Sequence, residues 1–298
     1  MPTYPFMQID AFTTRPLGGN PCAVVFDCPE IPDATMLAIA KEMNLSETSF
    51  VWRMADGRFR ARYFTPAEEI PLAGHPTIAT VFGLVESGRL KLDGETLKIP
   101  LVLRDGPIDV EIFARGNQGQ VERVVMSQRK PQFLQTYAPG EVLPVFGLDS
   151  ADLLPDAPSI QTVSTGTPQL FIPVRGLDVL KKIKLDVEAY IALRARGDFF
   201  SAHLFCLQGT EHGDTFARHF VTPPDLVEDP YTGSATGGMG AYLWHYNLIQ
   251  KPTFIAEQGH WMGRPGEGLV EVIGPREDIE TVKVGGAAVA VLKGELII

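Results

Sequence analysis

The second half of this chain repeats the first. Gly19-Asn20-Pro21-Cys22-Ala23-Val24-Val25 is echoed by Gly166-Thr167-Pro168-Gln169-Leu170-Phe171-Ile172, in each case a glycine turn and a proline ahead of an apolar strand. Ala61-Arg62-Tyr63-Phe64-Thr65-Pro66 returns as Ala217-Arg218-His219-Phe220-Val221-Thr222-Pro223. Ala73-Gly74-His75-Pro76-Thr77 returns as Thr232-Gly233-Ser234-Ala235-Thr236, and an apolar helix follows each. Echoes that keep their order and nearly the same offset mark two related halves. The helices, Ile78 to Val85 and Met239 to Leu248, are apolar on every side, and a helix of that kind belongs inside a sheet rather than on its surface. The expected architecture is therefore α+β, two pseudo-symmetric halves that each wrap a sheet around a central helix. Residues 1–130 form one half and 131–298 the other, with the turn-rich stretch from Pro131 to Pro158 as crossover. The tail, Val282 to Val291 and then Gly294 to Ile298, reads as a closing hairpin whose last strand can pair with either half.

Between these landmarks the elements follow from pattern. Phe6 to Phe12, Cys22 to Phe26, Thr48 to Trp52 and Arg58 to Phe64 read as strands, and Ile31-Pro32-Asp33 opens a helix through Met36, Leu37, Ile39, Ala40 and Met43 that is ended by Asn44-Leu45-Ser46. Leu97 to Val102, Ile108 to Phe113 and Val121 to Met126 are further short strands.

Composition narrows the function. At 298 residues, with 45% hydrophobic and 21% charged residues and a mean hydropathy of +0.04, the chain has the make-up of a globular protein. A net charge of -10 argues against a nucleic-acid or anionic-membrane surface but leaves small anionic substrates open, given a local positive site. Cys22, Cys28 and Cys206 are too few and too irregular for a disulfide framework or a zinc pattern, and the start of the chain has neither a basic nor an apolar leader segment. The expectation is a soluble cytoplasmic protein with no membrane and no nucleic-acid partner.

The stretch Glu228 to Gly240 runs from an acidic turn into small residues and then a helix. Thr232, Gly233 and Ser234 fall where the first N–H groups of a helix have no intrahelical partner, so they can cradle a carboxylate or phosphate. Gly237, Gly238 and Gly240 each weaken the helix by about 1 kcal/mol relative to alanine, which fits either a closely approaching ligand or tight burial. Glu47, between a helix end and a strand with apolar neighbours, is either a helix cap or a carboxyl of raised pKa able to give and take a proton. His75 begins the first inner helix, as a substrate donor or as a buried ring satisfied by backbone. Asp229, extended ahead of Pro230, suits a cap or a substrate contact. Arg62 and Arg218 are either carboxylate anchors or partners of nearby acids. His203, His212, His219, His245 and His260 show no metal-ligand spacing, and no metal is assigned.

Taken together, Asp10-Ala11-Phe12, Gly19-Asn20-Pro21, Asn44-Leu45-Ser46-Glu47-Thr48, Ala73-Gly74-His75-Pro76, Glu228-Asp229-Pro230-Tyr231-Thr232-Gly233-Ser234-Ala235, and Glu257-Gln258-Gly259 with Met262-Gly263-Arg264-Pro265 resemble the phenazine-biosynthesis PhzF-like family over nearly the whole chain. The resemblance implies the diaminopimelate epimerase-like fold, in agreement with the repeat. It also implies Glu47 as general acid/base, His75, Asp229 and Ser234 as substrate-binding residues, Gly74 and Gly233 as backbone donors, no cofactor, and a homodimer. Related racemases and epimerases place a cysteine at each central-helix start, whereas this chain has none at those positions, so a single carboxyl moving one proton fits better than a thiol pair. The family's characterised reaction, isomerisation of trans-2,3-dihydro-3-hydroxyanthranilate, is of that kind. The implied function is a cofactor-independent isomerase or epimerase of a small cyclic amino carboxylate. A non-catalytic carboxylate-binding module is the alternative, and a phosphate loop is disfavoured because Gly233 to Gly237 lacks its lysine.

Overall fold

In the computed structural model, the described residues are 1–116 and 119–298. They fall into two compact units, residues 1–127 with 284–298 and residues 128–283. Among the described residues no helix is long and apolar enough to cross a membrane.

The first unit contains β1 (Thr3–Ala11), β2 (Asn20–Phe26), α1 (Asp33–Met43), β3 (Glu47–Arg53), β4 (Phe59–Phe64), β5 (Glu69–Ile70), α2 (Gly74–Glu86), β6 (Thr96–Leu103), β7 (Gly106–Ala114) and β8 (Val121–Ser127). β2 and β3 are parallel, joined by α1, while β1 with β2, β3 with β4, β6 with β7 and β7 with β8 are antiparallel. β4 is extended on its other side by the two-residue β5 and by β6 in parallel. Every residue of β2 is buried, and so is α2 from Gly74 to Leu84. α1 stops at Asn44, whose left-handed backbone (φ 50°) turns the chain and whose N–H donates to the Ala40 carbonyl. β3 then starts at Glu47.

The second unit contains β9 (Gln132–Tyr137), the single turn α3 (Pro139–Val142), β10 (Ile160–Ser164), β11 (Pro168–Pro173), α4 (Leu177–Lys182), α5 (Val187–Arg196), β12 (Ser201–Cys206), β13 (Thr215–Phe220), β14 (Glu228–Asp229), α6 (Gly233–His245), β15 (Thr253–Gln258) and β16 (Gly266–Ile273). β11 and β12 are parallel, β12 and β13 antiparallel, and β13 carries both the two-residue β14 and the parallel β15. This is the order of pairings from β2 to β6, element for element. α6 is buried from Gly233 to Leu243. α5, with Asp186 accepting from the Ala189 N–H as its cap, covers the outer face together with α4. β17 (Thr281–Gly286) crosses the division, and β18 (Ala288–Ile297) then pairs antiparallel with β1 in the first unit.

The two inner helices begin earlier than the apolar runs suggest, at Gly74 and Gly233 rather than near Ile78 and Met239. Pro76 does not delay α2, because a proline in the first turn removes an N–H that would lack a partner anyway. α6 also stops earlier, at His245, with Asn247 at positive φ. The tail has no turn near Leu292: β18 continues through Gly294, which lies opposite Phe6, with only a register shift between Leu292 and Ala290.

A repeated ion pair ties the two-residue strand of each motif, β5 and β14. Arg62 donates from Nε and an Nη to both oxygens of Glu69, each at 2.8 Å, and Arg218 does the same to Glu228 at 2.8 and 2.7 Å. Bidentate pairing of this kind uses up the guanidinium, and the remaining Nη atoms donate to Asp33 and to the Leu180 carbonyl. Both arginines are structural, which closes the carboxylate-anchor alternative.

The glycines of α6 are explained by packing. A Cβ on Gly237 would lie 2.0 Å from Gln128 Oε1, one on Gly238 would lie 2.6 Å from Phe171 Cζ, and one on Gly240 would lie 2.8 Å from a Val270 methyl. Replacing Gly238 with alanine should therefore lower stability. Overpacking against the fully buried Phe171 costs about 1–3 kcal/mol and outweighs the gain of about 1 kcal/mol in helix propensity. A urea midpoint unchanged or raised in G238A would show that the ring yields freely.

Candidate active site

In the first unit the site is built where β3 faces α2. Alternate residues of a strand share a face, and Ser49 Oγ lies 2.6 Å from Thr80 Oγ1 of α2, so the face that carries Glu47 and Ser49 is the one turned to that helix. Glu47 is the first residue of β3, not a helix cap. His75, in the first turn of α2, brings Nε2 to 3.1 Å from Glu47 Oε2, with the histidine side chain 3% exposed and the glutamate 17%. On the opposite edge of the ring, Asn20 Nδ2 lies 3.0 Å from Nδ1. An amide nitrogen can only donate, so this contact makes Nδ1 the acceptor and leaves the ring proton on Nε2, beside Glu47. Among the described residues that Nε2 has no aligned acceptor, despite the nearby carboxylate.

Burial pulls His75 down to about 3, against a smaller upward pull from the Pro21 carbonyl, which would accept from the charged ring. The imidazole is neutral at physiological pH. Cys22 is in strand register with Glu47 and wholly buried. Burial, and then the charge of Glu47, push its thiol well above the ordinary range. The thiol therefore stays protonated, without the thiolate that gives cysteine its reactivity. Sequence spacing alone had concealed this cysteine next to Glu47, since β2 and β3 meet only through their crossover.

The start of α2 adds a second feature. Ala73 is its N-cap, no side chain caps it, and neither acidic residue nor solvent serves its first turn, since Gly74, His75 and Thr77 are all buried. Helix starts leave N–H groups without intrahelical acceptors, and a buried, uncapped start is a ready anion site.

In the second unit α6 offers a start of the same make. Thr232 is the N-cap without a side-chain capping bond, and Gly233, Ser234 and Ala235 are buried. The turn before it is held from several sides. Thr232 Oγ1 donates to Asp229 Oδ2. Gln258 Nε2 donates to the Asp229 carbonyl at 2.6 Å, and Gln258 Oε1 accepts from the Thr232 N–H at 3.2 Å. Gln128 Nε2 donates to the Gly233 carbonyl at 2.8 Å, while its Oε1 accepts from the Thr165 hydroxyl. Next to Gln258, Glu257 accepts from the amides of Thr210, Glu211, His212 and Gly213 and from the Thr210 hydroxyl. Burial alone would raise that carboxyl, but these donors, Thr210 foremost, outweigh it and hold it at about 2. It is a permanent anion that anchors the loop at 210–213.

Within each unit, then, the residues expected from sequence come together: Glu47 with Gly74 and His75, and Asp229 with Gly233 and Ser234. Asn20, Gln128 and Gln258 were not singled out. Asn20 and Gln258 lie inside the quoted motifs, and their signal was an amide side chain at the buried end of a strand. Among the described residues no group of three histidine, cysteine or acidic side chains could hold a metal ion.

Two halves with a sheet around a buried helix are the diaminopimelate epimerase-like fold. A hydroxyproline epimerase from Agrobacterium vitis, only 11% identical, superposes over 99% of this chain and 92% of its own with a TM-score of 0.68. Residues 9–294 match the phenazine biosynthesis-like protein family, PhzC-PhzF, and the chain belongs to that family. A PhzF-family protein from Bacillus anthracis, 31% identical, matches over 100% of both chains with a TM-score of 0.87. The trans-2,3-dihydro-3-hydroxyanthranilate isomerase of Pseudomonas aeruginosa is 32% identical over 97% of this chain and 98% of its own. The protein is an isomerase of this family, and a purely binding role gives way to that.

A neutral His75 has a direct consequence. In a 15N-histidine NMR titration its ring should show no inflection between pH 8 and about 4, because protonation waits for a pKa of about 3. An inflection near 6.5 would mean that the ring is solvated and the pair with Glu47 open.

Proposed function

We propose that this protein is a cofactor-independent isomerase that moves a proton on a small cyclic amino carboxylate, with Glu47 as the acid/base. The observation that carries the reading is the approach of Glu47 Oε2 to His75 Nε2, 3.1 Å, at the uncapped start of α2. The ionised carboxyl takes a proton from an activated C–H and returns it to another carbon of the same conjugated system. Burial, which pulls the His75 ring down to about 3, disfavours transfer of that proton to the imidazole and so favours its return from Glu47. The neutral His75 Nε2–H, beside Glu47 but without an aligned acceptor among the described residues, can turn to substrate.

Substrate binding falls to Gly74 and His75 and to Asp229, Gly233 and Ser234. Helix-start amides suit a substrate carboxylate, and the Ser234 hydroxyl adds a donor. Asp229, an acceptor, suits an amino or hydroxyl group. Ligands that carry all of these groups on a partly unsaturated ring form the class to which trans-2,3-dihydro-3-hydroxyanthranilate belongs, the compound named for the Pseudomonas aeruginosa relative. From the resemblance we also carry forward a cytoplasmic homodimer, for which light scattering should give twice the chain mass of 32.6 kDa.

The test is solvent exchange. In D2O, with trans-2,3-dihydro-3-hydroxyanthranilate as probe, the wild-type protein should incorporate deuterium and convert the probe. E47Q should lose about 10²–10⁴-fold of that rate while still binding it, the usual contribution of a positioned acid/base. Exchange at the wild-type rate in E47Q would remove Glu47 from the mechanism.

A further inference from the structure

One side chain reaches the first peptide of α6 from far along the chain. Gln128, just ahead of β9, is 105 residues from Gly233 in sequence and buried, as is Thr165 at the end of β10. The sense of their contacts follows from what each group can do. A peptide carbonyl only accepts, so the Gln128 group 2.8 Å from the Gly233 oxygen is the NH2. The carboxamide oxygen then faces Thr165, whose hydroxyl must donate to it.

The helix makes room for this side chain. A Cβ on Gly237 would lie 2.0 Å from Gln128 Oε1, 2.3 Å from Cδ and 2.4 Å from Nε2, so any other residue there would push the whole carboxamide away. Glycine at this position weakens the helix by about 1 kcal/mol relative to alanine, and what it admits is a polar group aimed at the first carbonyl of α6.

Peptide geometry carries the contact onward. The Gly233 carbonyl and the Ser234 N–H belong to one planar trans peptide and point in opposite directions, so fixing the one fixes the other. The oxygen has two lone pairs and takes the Gln128 bond in addition to the helical bond from the Gly237 N–H. Among the described residues, the Thr232 N–H goes to Gln258 Oε1 and the Thr236 N–H to the Thr232 carbonyl. Between them, the N–H groups of Gly233, Ser234 and Ala235 are those that a helix start leaves without an intrahelical acceptor. From the Thr165 hydroxyl through the Gln128 amide and the Gly233 peptide to the Ser234 N–H, each group donates to the next in one direction. Hydrogen bonds aligned in this way strengthen one another in a buried, low-dielectric setting.

We propose that Gln128 is a positioning residue for the start of α6: it aims the Ser234 N–H and, with Thr165 behind it, makes that N–H a stronger donor to a carboxylate. It acts through the Gly233 peptide rather than by contact with substrate. The inference rests on the proposed placement of the substrate carboxylate at this turn for its meaning, but its first readout does not.

Two variants test it: Q128M, which keeps the bulk but neither bond, and T165V, which removes only the first donor of the chain. In ligand-free 15N-labelled protein the Ser234 amide nitrogen should move upfield in Q128M, because its peptide carbonyl has lost a donor, and by less in T165V. Anthranilate binding, followed by calorimetry, should weaken in Q128M by about two- to fivefold, as expected when a charge-assisted bond loses roughly 10–30% of its strength. T165V should fall between Q128M and wild type, and it decides alone if Q128M does not fold. A Ser234 nitrogen that keeps its wild-type position overturns the inference, and weakened binding without that movement marks Gln128 as packing only. Where wild-type Ser234 responds to anthranilate, unchanged affinity in the variants overturns it too. Anthranilate that leaves the Ser234 amide of the wild-type protein unmoved would count against the proposed substrate placement instead, since the nitrogen shift is read without ligand.

Discussion

A helix that is apolar around its whole circumference has to be enclosed, and enclosure fixes where its ends fall. α2 and α6 are each buried over eleven consecutive residues, starting from the first residue of the helix. Their opening turns cannot be exposed to bulk water, yet the first N–H groups of any helix lack partners within it. A stable globular protein normally supplies a serine, threonine or aspartate cap at such a place. Here Ala73 supplies no capping atom, and Thr232 spends its hydroxyl on Asp229. The sheet, the two-residue strands β5 and β14 and the repeated arginine–glutamate pairs all serve to deliver these two helix starts in the same form.

The chemistry around them is set by burial more than by charge. The imidazole of His75, the thiol of Cys22 and the rings of His203 and His219 are all pushed toward their neutral forms, with desolvation as the leading cause. Glu257 shows the contrasting case, where a ring of amides overrides desolvation and keeps a buried carboxylate charged. In the proposed mechanism a neutral histidine beside Glu47 matters because burial disfavours its taking up the migrating proton.

Much of the fold was legible because the repeat and the apolar helices are patterns of many residues, each carrying the same message. The elements from β1 to β4 and the helix α1 with its Asn44 stop follow directly from periodicity and capping. α5 carried its own signals, Asp186 as cap, Glu188 in the first turn and Gly197 after the last residue, but its weak apolar periodicity obscured them. At the site, residue types in the quoted motifs pointed to Glu47, His75 and the Gly233–Ser234 turn. Contacts across fifty or more residues did not show: Asn20 with His75 and Gln128 with Gly233 depend on strand order, which no local window contains. The arginines and the α6 glycines had two readings each on sequence grounds. Only packing decided between them, in favour of Glu69 and Glu228 for the former and of Gln128, Phe171 and Val270 for the latter.

The central claim is that uncapped helix starts beside Glu47 and Asp229 receive a carboxylate. Amide chemical-shift mapping while a small ring carboxylate such as anthranilate is titrated in addresses it most directly. The account predicts that the largest shifts fall on the amides of Gly74 and His75 at the start of α2 and of Gly233 and Ser234 at the start of α6, and that they saturate. Saturable shifts confined to other surfaces, with these four amides unmoved, would contradict it.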